Sequence, residues 1–186
     1  PLQDVIPLSM PFIIFLDPSN VCNFKCTFCP TGHPEIISKT KRQTIMSFDT
    51  FTAAIDGLDS FPGNSKLKTL RLYKDGEPFV NPRLADMVRY ARKSNRITSI
   101  DTTTNAALMT PNRLAELLEA GINKINISIN GMNDITYSNF CRTKITFEKI
   151  LDNVKWLFKN KGDCIVFIKA PSQLLTPSEQ RDFLSI

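Results

Sequence analysis

Histidine and tryptophan occur once each in the 186 residues, and no hydrophobic run is long. Each scarcity excludes something. No segment approaches the ~20 apolar residues that a membrane-spanning helix needs. The apolar stretch from Phe12 to Leu16 is far shorter, and no basic region precedes it as in a secretory signal. With His33 the sole histidine, a zinc site can take at most one imidazole. The chain also lacks internal repeats, low-complexity segments and an evident interdomain linker. Basic residues exceed acidic ones only mildly, 23 against 18, for a formal charge of +5. That balance fits a solvated surface without a nucleic-acid partner. Lys39, Lys41 and Arg42 bunch together, and a short run of this kind reads as solvent-facing charge.

What is present is a cluster of cysteines. Cys22, Cys26 and Cys29 read C-x3-C-x2-C directly after the first strand-like run. Thiolates this close on one loop bind soft metal. A structural 4Fe–4S cluster usually takes four cysteines. Three ligands would leave one iron open to another molecule. Five cysteines without a signal segment favour a reducing compartment over disulfides, and hence a cytoplasmic location. Cys164 begins an apolar run and is expected in the core. Cys141, beside Arg142, is either near the site or buried for packing alone.

Strand and helix patterns alternate along the chain. Strands are expected at Phe12–Asp17, Leu67–Tyr73, Ile97–Thr103, Lys124–Ile129 and Ile165–Lys169. Ser47 reads as an N-cap for a helix with Phe48, Phe51, Ile55 and Leu58 on one face. Asn81-Pro82 opens a second helix striped by Leu84, Met87, Val88 and Ala91. Thr110-Pro111 opens a third with Leu114, Leu117 and Leu118, stopped by Gly121. Phe147, Ile150, Leu151, Val154, Leu157 and Phe158 mark a fourth, with Trp156 assigned to the core. Thr176-Pro177-Ser178-Glu179 has the capping-box pattern of a fifth. Such alternation predicts an α/β fold of right-handed βαβ units with a parallel sheet, five units in all. Active sites in barrel-like folds sit at strand C-terminal ends. The chemically informative residues recur at those ends. The longest irregular stretch, Cys22–Met46, is the cysteine loop, and loops of that length are usually functional or disordered.

The cysteine spacing, with Phe28 just before the third thiol, resembles the radical S-adenosylmethionine (SAM) superfamily. Further motifs support the resemblance in chain order. Lys74-Asp75-Gly76-Glu77-Pro78 is similar to the Gly-Gly-Glu-Pro stretch of that family, with Asp75 in place of the first glycine. Thr104-Asn105 matches a Thr-Asn-Gly segment, with Ala106 where glycine is usual. Ser128, in Asn126-Ile127-Ser128-Ile129-Asn130-Gly131, matches a SAM-contacting position. Tyr137 through Arg142 resembles a Tyr-x-x-x-x-Arg segment.

The resemblance implies a partial (β/α) barrel of six units, with the sixth strand beyond this chain, so that residues 1–186 form a C-terminally incomplete core domain. It implies a 4Fe–4S cluster on Cys22, Cys26 and Cys29. SAM would be bound by Phe28, Gly76, Glu77, Thr104, Asn105, Ser128 and Arg142, with Phe28 on the adenine and Arg142 on the carboxylate. The implied reaction is one-electron reductive cleavage of SAM followed by hydrogen abstraction from a peptide, protein or small-molecule substrate. An electron donor such as flavodoxin or ferredoxin would serve it, and no residue acts as a catalytic acid or base in the first step. Polar groups are expected only at one rim of the barrel wall. The motif order is similar to the SPASM/twitch subgroup, whose diagnostic cysteines would lie past Ile186. Three alternatives stay open. One is a zinc-binding module using Cys22, Cys26, Cys29 and His33, although His33 reads more simply as an exposed loop residue. Another is a degenerate domain retained for partner binding. A methyltransferase is the third, opposed by the lack of a G-x-G turn after the first strand.

Overall fold

The computed structural model describes residues 2–33, 35–37 and 43–185. Lys39, Lys41 and Arg42 lie outside them. Five strands form one parallel sheet in sequential order: β1 (Ile13–Phe15), β2 (Leu67–Arg71), β3 (Ile97–Thr104), β4 (Lys124–Ser128) and β5 (Ile165–Lys169). The helices are α1 (Phe48–Asp56), α2 (Leu84–Lys93), α3 (Pro111–Glu119), the short α4 (Asp134–Thr136), α5 (Phe147–Asn160) and α6 (Pro177–Phe183). Five strand–helix units in sequence form the parallel α/β fold that the alternation predicts, in the partial (β/α) barrel arrangement that the resemblance implies. No helix among the described residues is long and apolar enough to cross a membrane.

Local chemistry explains most boundaries. The Ser47 hydroxyl accepts from the Thr50 amide and starts α1. The Thr176 and Glu179 side chains close a reciprocal capping box on α6, with Pro177 at its first position. Gly121 takes φ of 91°, the left-handed conformation that stops α3 and suits glycine. Two expectations shift. Pro82 does not open α2, which begins at Leu84. The Asn81 side-chain Oδ1 instead accepts from the Arg83 amide, while its Nδ2 donates to the Pro18 and Met46 carbonyls. Those bonds hold residues 81–83 in a turn. β1 is shorter than predicted and not buried on both faces, since Ile13 and Phe15 stay exposed. Trp156 is half-buried at the edge of the core.

One face of the sheet carries the core. Leu70, Ile100, Ile125 and Ile127 are fully buried with Phe51, Met87, Leu114 and Leu157 from the helices. The opposite face holds a polar row. Register aligns Phe15, Arg71, Asp101, Lys124 and Ile165 across all five strands. Asp101 is fully buried, 3.6 Å from Arg71 Nε and 3.2 Å from Lys124 Nζ. Phe15 lies 5.4 Å from the Arg71 guanidinium, and Phe167 lies 5.8 Å from the Lys124 ammonium. Polar groups are therefore not confined to the rim, because register brings three charges together in mid-sheet.

Neutralising Asp101 removes the only counter-charge in this row. Breaking a buried pair costs about 3–5 kcal/mol, and the partial exposure of both cations lowers that figure. Asp101→Asn is predicted to destabilise by about 1–3 kcal/mol, read as a lower urea midpoint at unchanged slope. An unchanged midpoint would show that the row is incidental.

Candidate functional site

The site lies where loops meet at the C-terminal ends of β1, β2 and β3. The chain leaving β1 is pinned first. Asp17 Oδ2 accepts from the Asp75 amide at 3.0 Å, and the Val21 carbonyl accepts from the Glu77 amide at 3.0 Å. Between these bonds Gly76 presses on the Ser19–Val21 backbone, where an added Cβ would lie 2.0 Å from the Ser19 carbonyl oxygen. Glycine at this position permits close backbone approach, as the motif suggests, and the approaching group is the chain itself. Farther on, the Lys25 amide donates to the Cys141 carbonyl at 3.0 Å and the Thr27 amide to the Phe140 carbonyl at 2.8 Å. These bonds dock the cysteine loop on a π-helical turn, Tyr137–Cys141. Phe24 is buried beneath it, edge-on to Tyr137.

Glu77 joins the other two loops. It is 2% exposed. Its Oε1 accepts from the Thr104 hydroxyl at 2.7 Å and the Phe79 amide at 3.1 Å, and its Oε2 accepts from the Asn105 amide at 2.8 Å. Asn105 extends the link, its Nδ2 donating to Asn23 Oδ1 at 2.8 Å and lying 3.8 Å from Cys22 Sγ. Ala106 follows in a left-handed conformation, φ 64°, which glycine adopts more easily. Its carbonyl accepts from Asn153 Nδ2 on α5 at 2.8 Å. Burial lifts the Glu77 carboxyl above its ordinary range, and the three donors offset that effect only in part.

The thiols are crowded but not gathered. Burial pushes the Cys22 thiol up to about 12, and the Phe24 amide at its sulfur lowers it in part. The nearby Glu77, Cys26 and Cys29 raise it further. Cys29 Sγ lies 3.0 Å from the Thr31 hydroxyl. The Cys26 thiol lies within interaction range of Cys141, which pushes it up. Among the described residues, no three Cys, His, Asp or Glu side chains converge to hold a metal. The donor set nevertheless fits an iron–sulfur cluster in kind: three soft thiols share one loop, and Asn23 Nδ2 is a buried donor with no acceptor beside them.

His33 is not the exposed residue expected. It is half-buried, with Nε2 2.8 Å from the Thr27 carbonyl and Nδ1 3.1 Å from Glu35. Both ring nitrogens thus brace the loop, which leaves no Cys3His arrangement. Glu77, Thr104, Asn105 and Cys22 come together. Phe28 is half-exposed, Ser128 is half-buried at the end of β4, and Arg142 is exposed in a left-handed conformation with its charge acting on Glu35. Asn23, Asn153 and Tyr137 carry bonds that sequence reasoning did not assign. Asn153 was signalled only as a polar residue within an apolar helix stripe. Cys164 is buried as expected.

Residues 16–169 match the radical SAM superfamily. A tungsten-containing aldehyde ferredoxin oxidoreductase cofactor-modifying protein of Pyrococcus furiosus is 31% identical over 147 residues, covering 77% of this chain and 38% of that protein. A GTP 3',8-cyclase of Desulforamulus reducens is 26% identical over 121 residues, 65% of this chain and 35% of its own length. The chain thus spans little more than a third of these curated relatives. BtrN in complex with AdoMet and 2-DOIA superposes with a TM-score of 0.63 at 21% identity, over 89% of this chain and 59% of that one. HydG, a maturase of the [FeFe]-hydrogenase, gives 0.69 at 17% identity, over 94% and 38%. At these identities the two structures establish the shared fold.

Two outcomes follow from the geometry. Gly76→Ala forces backbone against backbone and is predicted to cost about 1–3 kcal/mol in urea unfolding, whereas wild-type stability would contradict the packing. Glu77→Gln replaces an accepting oxygen with an NH2 that faces donors and is predicted to cost about 1–3 kcal/mol in urea unfolding. A carboxyl raised on folding contributes most below its ordinary range, and that contribution fades as pH rises. The deficit of Glu77→Gln should therefore narrow as pH climbs above 4.5, in paired urea titrations. A widening deficit would mean that folding lowers this carboxyl instead.

Proposed function

The chain belongs to the radical SAM superfamily, and on that basis we propose that it acts as an enzyme that splits SAM reductively and removes a hydrogen atom from a substrate. Cys22, Cys26 and Cys29 would hold a 4Fe–4S cluster. Phe28, Gly76, Glu77, Thr104, Asn105, Ser128 and Arg142 would form the SAM site. One observation supports this most: the loops after β2 and β3 and the Tyr137–Cys141 turn all meet at the cysteine loop that follows β1. When bound, the cluster supplies the electron that breaks a carbon–sulfur bond of SAM.

The chain's own residues have simpler tasks. Both Glu77 oxygens are engaged by Thr104, Phe79 and Asn105. Glu77 therefore serves the site by fixing these donors and the Gly76 bend. Arg142, exposed and near Glu35, is free to pair with a carboxylate bidentately. Phe28 presents a half-exposed ring for an adenine face. Five unpaired cysteines suit a reducing, cytoplasmic setting with flavodoxin or ferredoxin as donor. The substrate is a peptide, protein or small molecule, in keeping with a SPASM/twitch assignment.

Anaerobic reconstitution of the full protein with iron and sulfide, followed by reductant and SAM, should yield 5′-deoxyadenosine and methionine. No cleavage by protein carrying a complete cluster would overturn the catalytic reading. Cys26→Ala should lose the 4Fe–4S absorbance and most of its iron and labile sulfide. Full retention of both would refute the ligand assignment.

A further inference from the structure

We infer that Cys26 and Cys141 are an oxidisable pair, a disulfide site that closes the cysteine loop. Four observations carry this. The Lys25 and Thr27 amides bond to the carbonyls of Cys141 and Phe140 at 3.0 and 2.8 Å, so Cys26 is held between two backbone bonds against the segment that bears Cys141. The two side chains lie within interaction range of one another. Cys22 and Cys29 have hydrogen-bond partners of their own, the Phe24 amide at 3.4 Å and the Thr31 hydroxyl at 3.0 Å. Finally, Cys141 is anchored. It ends a π-helical turn whose Tyr137 is fully buried and packs on Phe24 and Phe147 at ring separations of 6.1 and 5.7 Å. Such turns occur mostly as single-turn insertions, frequently at functional sites.

A buried thiol that only fills space needs no second thiol beside it. Here the second one belongs to the loop that carries the site. With hydrogen peroxide as oxidant, the two S–H groups give up two protons and two electrons, one S–S bond forms, the O–O bond breaks and two waters leave. A dithiol reverses the step by exchange. The pair is inside the core, Cys26 at 8% exposure and Cys141 at 0%. Burial therefore favours small oxidants such as hydrogen peroxide over bulky ones. Its consequence rests on the proposed cluster assignment: a bridged Cys26 cannot take iron, so the oxidised chain is held unloaded until reduced.

The test uses the full, metal-free protein exposed to hydrogen peroxide, alkylated under denaturing conditions and digested. A linked peptide pair containing Cys26 and Cys141, lighter by two hydrogens and lost on dithiol treatment, is expected. Iron uptake by the oxidised protein should drop and return after reduction, while Cys141→Ser should form no such link and lose less uptake. Free, alkylated Cys141 after complete oxidation, or a bridge confined to Cys22 and Cys29, would overturn the inference. A linked pair in a protein that takes no iron even when reduced would preserve the disulfide site and refute the cluster assignment instead.

Discussion

The Glu77 carboxylate accepts from the Phe79 amide on its own loop, from the Thr104 hydroxyl and from the Asn105 amide, so the ends of β2 and β3 cannot part without stranding a buried charge. An unsatisfied buried charge costs several kcal/mol, more than any neutral bond nearby contributes. Asn105 passes the constraint to the cysteine loop through Asn23. Asp17 and Val21 pass it back by bonding the amides of Asp75 and Glu77. Three strand ends are thereby fastened around one acid, and the cysteine loop is the segment they hold.

The remainder of the fold accommodates that arrangement. Sequential parallel pairing delivers each strand end to the same edge of the sheet. The helix-covered face is apolar and supplies the packing. The opposite face carries Arg71, Asp101 and Lys124 in one row. Two partly exposed cations share one carboxylate there, which leaves that face with an excess positive charge. It adjoins the proposed site and is open to solvent at β1 and β5, where Phe15 and Phe167 are exposed.

Much of this was legible in the sequence, for identifiable reasons. Parallel strands read as short apolar runs between turn signals, and all five were recognisable. Caps at Ser47 and Thr176 rest on local bonds, so local sequence specifies them. The Asp101 row was not legible, because register between strands that lie about thirty residues apart leaves no local trace. Pro82 misled because the Asn81 side chain is spent on Pro18 and Met46, which belong to distant loops. The motif residues fall at the C-terminal ends of the strands. Their orientation did not follow: Gly76-Glu77-Pro78 is the same string whether its acid faces a ligand or β3. His33 and Cys141 show the same limit, since their partners Thr27, Glu35 and Cys26 depend on how the loop folds back.

If a buried acid fastens the strand-end loops, amide hydrogen exchange reports it directly. The Phe79 and Asn105 amides, both sealed by Glu77, should exchange only as slowly as global unfolding permits. In Glu77→Gln, protection should fall at these two amides and across Val21–Thr27, while β4 and α5 remain as protected as before. Unchanged exchange across Val21–Thr27 in that variant would mean the cysteine loop is held by something else, and the account would fail at its centre.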